Sequence, residues 1–297
     1  MSGTFVLFNP VAGRGRALRR QSRFRELLDH WVPGWTGATT DRPGQEAELV
    51  DDALARGFRN VVAVGGDGTW SLVADRVARW PGEPARLALL PGGTGNDFGK
   101  TSGITWERAD DVVRALAEGR TRRIDLGRVD GRHFLNVVGI GFDIAVIDDA
   151  ERMPLLRGDA LYRFCALRQL FFYEGTPLRV STGGEPVDED DHLMLVVANG
   201  RYFGGSFDIA PEADLTDGEV HVVSILDASP LGRARLFDRV AKGRHPSDPK
   251  VRIRRGPRFT IGFTPPLRYE VDGEVLETHA DRLEIETVPG ALELVVP

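Results

Sequence analysis

The chain has 297 residues, 41% of them hydrophobic, enough for roughly two domains and a sizeable core. Its net charge of −6 excludes the broadly basic surface of a general nucleic-acid binder. The one cysteine, Cys165, excludes an internal disulfide and a thiolate metal site; its neighbours Phe164, Ala166 and Leu167 read as core.

The run 5–8 is apolar throughout and ends at Asn9-Pro10, a buried strand leading into a turn. Gly13 and Gly15 follow, then a helix with the apolar stripe Ala17, Phe24, Leu27 and Leu28. Leu18 stands where a dinucleotide fingerprint needs its third glycine, and no GxxxxGK[ST] occurs. Six arginines between Arg14 and Arg25 read either as a solvated helix face or as contacts to phosphates or an anionic membrane. Thr39-Thr40 precedes Gly44 and a helical stretch over 45–56.

Val61-Val62-Ala63-Val64 then feeds Gly65-Gly66-Asp67-Gly68-Thr69, and a helix is expected over 70–80. Such a turn leaves backbone N–H groups at a helix N-terminus for an anion. Asp67 either caps that helix or holds Mg²⁺. A second apolar strand, 87–90, leads into Pro91-Gly92-Gly93-Thr94-Gly95-Asn96-Asp97-Phe98. The helix expected over 106–118 carries Ala109, Val112, Val113 and Leu116 on one face. Continuously apolar strands alternating with amphipathic helices imply a parallel sheet covered on both faces. The three glycine turns, 9–15, 65–69 and 91–97, then share its carboxyl edge, where such sheets bind ligands.

After Arg123 the texture changes to short strand-like runs at 134–138, 193–197, 220–225, 259–261, 283–285 and 292–296, punctuated by Gly and Pro. These imply an antiparallel sandwich or barrel. The boundary falls near Ile124-Asp125, giving a domain over 1–124 and a β-rich one over 125–288, with 289–297 returning to the first. The clearest helix here is 159–172, with Leu161, Phe164, Leu167 and Phe171 in phase. Asp188-Glu189-Asp190-Asp191 reads as a solvated loop between strands. Three stretches stand out. One is Asn136 followed by Gly139-Ile140-Gly141-Phe142-Asp143; another runs from Asn199-Gly200 through Gly204-Gly205 to Gly218; the third is Val271-Asp272-Gly273-Glu274. Asp214 and Asp217, with the carbonyl of Glu219, are either an Asp-Gly turn or hard-oxygen ligands for Mg²⁺ or Ca²⁺.

Asn9-Pro10 with Gly13, the 65–69 and 91–97 motifs, Ala210-Pro211-x-Ala213, Asp217-Gly218 and Asp272-Gly273-Glu274 occur in an order that resembles the diacylglycerol kinase catalytic-domain family, in particular soluble bacterial lipid kinases related to sphingosine kinases. Ser206 departs from the pattern, where a third glycine often follows Gly204-Gly205. The resemblance implies a three-layer α/β nucleotide-binding domain, like those of phosphofructokinases and NAD kinases, packed on a β-sandwich-like domain that binds lipid. It implies ATP contacts from Asn9, Pro10, Gly13, Thr40, Gly65, Gly66, Asp67, Gly68, Thr69, Thr94, Gly95 and Asn96. It further implies a water-and-Mg²⁺ network at Asp67, Asp97 and Asp125, and a structural metal at Asp214, Asp217 and Glu219. Asp272 or Glu274 would sit at the acceptor hydroxyl as general base.

The expected reaction is phosphorylation of a lipid hydroxyl by ATP, diacylglycerol foremost. The alternatives are a soluble-substrate kinase of NAD-kinase type and a non-catalytic lipid-binding regulator. No apolar run approaches the ~20 residues of a membrane span, and residues 1–5 lack the regions of a signal peptide. A cytoplasmic protein docking reversibly on membranes is therefore expected, through the arginines at 14–25 or the cluster Arg252-x-Arg254-Arg255. The resemblance also allows a homodimer paired through sheet edges.

Overall fold

The computed structural model describes residues 3–152, 159–205 and 207–297; Met1, Ser2, Ser206 and the side chain of Leu161 lie outside the described set. In chain order the first half gives β1 (Thr4–Phe8), α1 (Ala12–Trp31), β2 (Thr36–Thr39), α2 (Gln45–Ala55), β3 (Asn60–Gly65), α3 (Asp67–Ala78), β4 (Arg86–Pro91), α4 (Asp97–Ser102) and α5 (Ala109–Glu118). Strands β2, β1, β3 and β4 lie side by side, all parallel. Every residue of β1 and β3 is buried, as continuously apolar strands between two helix layers must be. The stripe Ala17, Phe24, Leu27 and Leu28 is the buried face of α1, and Ala109, Val112, Val113 and Leu116 are buried on α5. Helix α3 starts at Asp67, earlier than expected. Gly66 is extended and its carbonyl already accepts from Trp70 N, so the glycine turn flows straight into the helix.

The second half gives β5 (Thr121–Val129), β6 (Arg132–Phe134), β7 (Val137–Gly141), α6 (Phe142–Glu151), α7 (Asp159–Phe172), β8 (Thr176–Thr182), β9 (Glu185–Ala198), β10 (Tyr202–Phe203), β11 (Phe207–Asp208), β12 (Val220–Leu226), α8 (Pro230–Ala241), β13 (Val251–Gly256), β14 (Arg258–Gly262), β15 (Leu267–Val271), β16 (Glu274–Thr278) and β17 (Arg282–Val295). Its ladders are antiparallel. Long strands carry the sheet around an inner core that includes Phe134, Leu195, Phe259 and Ile285. A further core, with Phe142, Met194 and Leu236, lies where α6 and α8 cover the sheet. The architecture is an α/β domain plus a β-sandwich domain.

Several local readings are corrected. The run 134–138 is two strands, because the backbone N–H groups of Leu135, Asn136 and Val137 turn toward the Asp272 carboxylate. The acidic run 188–191 is not a loop but part of β9, its charge met by arginines: Asp188 and Asp190 pair with Arg252, and Glu189 with Arg179. The runs 283–285 and 292–296 are one strand, β17. It pairs antiparallel with β14 and β5 and, near its end, parallel with β4, so hydrogen bonding is continuous between the halves. On α7 the in-phase residues Phe164, Leu167 and Phe171 face outward, 47–61% exposed, while Cys165 is buried. Helices α6 and α8 were not anticipated.

Candidate active site

The three glycine turns leave β1, β3 and β4 at one edge and are knitted together. Asn9 N donates to Val64 O, and Gly92 N and Gly93 N both donate to Gly65 O. Asn9 Nδ2 reaches Thr69 Oγ1 at 2.9 Å and Glu46 Oε1 at 3.0 Å, and Asn96 Nδ2 reaches Gly65 O at 3.4 Å. Pro10 follows Asn9 in the first turn, and the buried Thr40 donates its N–H to Phe8 O beside it. Gly13 has φ +60°, and a Cβ there would stand 2.4 Å from Gly92 O. A Cβ on Gly93 would stand 2.7 Å from the Cα of Gly66, so the second and third turns touch backbone to backbone. Only glycine permits that approach. The turns and the start of α3 thus present a bare backbone wall of the kind that receives phosphate groups.

Three carboxylates face this wall. Asp67 Oδ1 accepts from Phe98 N at 3.2 Å. Burial first, then the charge of Asp97, pushes Asp67 up from 3.8 to about 6. Asp97 Oδ2 accepts from Gly205 N at 2.7 Å, and Oδ1 pairs with Lys100 Nζ at 2.6 Å, so a glycine loop of the second half closes over a residue of the first. Asp272 sits at φ +49°. Its carboxylate accepts three backbone N–H groups, from Leu135 at 2.7 Å, Asn136 at 2.9 Å and Val137 at 2.8 Å. Burial nevertheless holds it above the usual carboxyl range. Gly68 packs beside Asp272, and Thr94 and Gly95 line the crevice with Asp67, Asp97 and Asp272.

Other predicted residues lie apart. Glu274 is half exposed and pairs with Arg132 at 2.6 Å, outside the crevice lining. Asp125 is buried, but its oxygens accept from Gly218 N and Gly290 N, each at 2.7 Å, and it too lies outside that lining. Asp125 N donates to Leu215 O, which ties it to the turn bearing Asp214 and Asp217 rather than to Asp67 and Asp97. In that turn Asp214 Oδ1 accepts from Thr216 N, and Asp217 Oδ1 from Glu219 N; the Glu219 carboxylate pairs with Arg255 at 3.6 Å. Among the described residues no three His, Cys, Asp or Glu side chains group closely enough to cage a metal alone. The Asp67–Asp97 pair still suits Mg²⁺, which takes one or two carboxylates and completes its shell with waters and substrate phosphates.

The basic clusters have internal work. Arg20 lies 4.0 Å over the Trp106 ring and donates to Pro91 O. Arg25 stacks on Phe8 and Trp35, Arg16 donates to Gly93 O, and Arg252 pairs with Asp188 and Asp190.

From the carboxylates the crevice, of about 1110 Å³, runs into an apolar wall of Val146, Leu170, Met194, Phe203, Phe237 and Val240. Sequence reasoning missed this wall, because its residues come from α6, α7, β9, β10 and α8 and share no spacing. It also assigned no role to Lys100, Asp143 or Glu270, although Asp143 closes one of the stretches that stood out.

The chain's likeness to known proteins covers both halves. Residues 3–129 match the diacylglycerol kinase catalytic domain, and residues 136–296 match the YegS C-terminal NAD kinase beta sandwich-like domain. A protein of Pseudomonas aeruginosa strain UCBPP-PA14 named "Probable lipid kinase YegS-like" is 35% identical over 86% of this chain and 82% of its own. A protein of Mycobacterium tuberculosis strain H37Rv named "Diacylglycerol kinase" is 27% identical over 98% and 94%. Among solved structures, a diacylglycerol kinase of Bacillus anthracis superposes with TM-score 0.76 at 21% identity over 100% and 97% of the two chains. Yeast NADH kinase superposes at 0.56 with 10% identity over 99% and 82%; both show likeness of fold. With both domain families present in order and the carboxylates gathered at the edge of the parallel sheet, the chain belongs to the diacylglycerol kinase family as a YegS-like lipid kinase.

Proposed function

We propose that this kinase moves the γ-phosphoryl group of ATP to the hydroxyl of a membrane lipid, diacylglycerol foremost, giving phosphatidic acid. The observation that carries the reading is a single crevice with a phosphate-suited backbone wall at one end, an apolar wall at the other and Asp272 between them. A soluble nucleotide acceptor would have no use for the apolar end. Residues 1–124, with the end of β17, are assigned to nucleotide, and 125–288 to lipid.

Phosphoryl transfer needs alignment, charge neutralisation and an acceptor for the hydroxyl proton. The backbone of the 65–69 and 91–97 turns, with Asn9, Gly13, Thr40 and Thr69 behind it, supplies alignment. Asp67 and Asp97 would hold Mg²⁺, which neutralises phosphate charge when bound. Asp272 takes the hydroxyl proton: it lies at the junction of the two walls, its orientation fixed by three N–H donors, and burial makes it a stronger base than an exposed carboxylate. Glu274, paired to Arg132 outside the crevice, supports that arrangement from the strand behind. The Asp214–Asp217 turn with the Glu219 carbonyl, tied to Asp125, is the second cation position we propose.

Membrane contact is assigned to the outward face of α7, where Phe164, Leu167 and Phe171 are exposed and Leu167 also lines the crevice. Leu167 thus links that outward face to the crevice. Among the described residues no helix is long and apolar enough to cross a membrane.

The test is a labelled-ATP assay with Mg²⁺ and diacylglycerol in mixed micelles. Asp272→Asn should lower kcat by about 10²–10⁴ with nucleotide binding intact, while Glu274→Gln stays within tenfold of the unaltered chain. A reversed order would move the base to Glu274, and failure to phosphorylate any lipid in a broad panel would end the reading.

A further inference from the structure

Two carboxyls in the crevice have no part in the transfer described above. Asp143, at the start of α6, and Glu270, on β15, both line it. The oxygens of Asp143 each expose less than 1 Å² and receive no hydrogen bond from a side-chain nitrogen or hydroxyl of the described chain. Among side chains, the Asp143 carboxyl bonds with that of Glu270. The charges that act on Glu270 are both negative, those of Asp143 and Asp272. Burial first, then the charge of Asp143, pushes the Glu270 carboxyl up to about 8.

The fold makes room for this pair. Glu270 stands opposite Gly139 in the β15–β7 ladder. A Cβ on Gly139 would lie 3.1 Å from Asp143 Oδ2 and 3.8 Å from the Glu270 Cβ, so a side chain there would crowd the Asp143 carboxyl. Their other neighbours in the crevice include Phe142, Met194 and Phe203. A buried acid pair is costly to fold around. Such groups are satisfied by whatever occupies the crevice.

We propose that Asp143 and Glu270 form a subsite for a hydrogen-bond donor, a second hydroxyl or an ammonium, carried by the acceptor lipid beside the hydroxyl that is phosphorylated. The proposal rests on the lipid-kinase reading and, within it, favours over diacylglycerol an acceptor lipid that carries a further donor. Glu270 and Asp272 are two residues apart, about 7 Å along an extended chain. A head group with neighbouring donors spans that gap, each hydrogen bond covering about 2.8 Å. Diacylglycerol has one hydroxyl and otherwise only ester oxygens, so it leaves the pair unanswered. A monoacylglycerol or a long-chain amino alcohol brings the missing donor.

The experiment compares three acceptors in mixed micelles, a diacylglycerol, a 1-monoacylglycerol and a long-chain amino alcohol, with the unaltered chain and the Asp143→Asn, Glu270→Gln double variant. Both substitutions preserve shape, and thermal melting verifies the fold. The expected result is a fall of tenfold or more in kcat/KM for a donor-bearing acceptor, with diacylglycerol changed less than twofold. The arm that falls distinguishes hydroxyl from ammonium. Equal changes for all three acceptors, or none, overturn the subsite. Binding of the same three lipids is measured in parallel by equilibrium partition into micelles. If the unaltered chain phosphorylates none of them, the kinase reading fails by itself, and the subsite is then judged on binding. Selective weakening of a donor-bearing lipid in the double variant upholds it, and unchanged binding overturns it.

Discussion

Asp67 shows how one residue sets function against stability. A carboxyl raised from 3.8 to about 6 is bound to its proton more tightly in the folded chain than in the unfolded one. The folded state therefore gains stability as pH falls from 6 toward 3.8 and forgoes about 3 kcal/mol above pH 6 in the absence of metal. Asp67→Asn should raise the melting temperature of the metal-free protein at pH 7.5, raise it little at pH 4.5, and abolish turnover. Melting curves at the two pH values check this, and equal shifts at both would place the strain elsewhere. The glycine turn around position 67 was legible in the sequence, but that turn alone fits a carboxylate that caps the helix as well as one that holds a cation. The choice between Asp272 and Glu274 was not legible. They are two residues apart, and only the three N–H groups delivered from 135–137 single out Asp272. Asp143 and Glu270 were beyond reach for the same reason: a contact between β15 and the start of α6 leaves no mark in local spacing.

At the scale of the element, α7 carries the main lesson. Its period was readable, but period alone does not say whether a stripe meets the core or the solvent. Phe164, Leu167 and Phe171 point outward, whereas Cys165 points in. An aromatic side chain moved from water into an apolar phase contributes about 1.5–3 kcal/mol. Phe164→Ser with Phe171→Ser should therefore weaken sedimentation with phospholipid vesicles at least tenfold, while nucleotide binding and melting temperature hold steady. Vesicle binding that survives these changes but disappears on removing arginines from α1 would shift the contact to the basic face. Of those arginines, Arg20 and Arg25 stack on aromatic rings of the chain itself.

Across the whole molecule the alternation of apolar strands and helices made the α/β half legible, since β1, β3 and β4 are almost wholly buried and lie in that order, while β2, mostly exposed at the sheet edge, carries no apolar run. The β-rich half was legible only in kind. Its order joins β9 to β7 and β12, and β17 to β4, β5 and β14, pairings too distant in sequence for local pattern to register, whereas β8 and β9 form a local hairpin around Gly183-Gly184. Strand β17 places Leu283 and Ile285 in one core and Leu292 and Leu294 in another. Leu294→Ala should cost about 2–5 kcal/mol and lower a single cooperative transition, because the damaged strand belongs to both halves. Two separate calorimetric transitions would show that the halves unfold independently.

The shared strand also has a mechanical meaning. A crevice between two bodies usually opens by rotation about a flexible linker, but here a hydrogen-bonded ribbon crosses the junction. Its ladder with β5 slips register between Val288 and Leu292. There Gly290 N is held by Asp125 Oδ1, while Asp125 Oδ2 holds Gly218 N on the far side. The ribbon lacks ladder bonds at that slip, and there the buried Asp125 pins it on both sides.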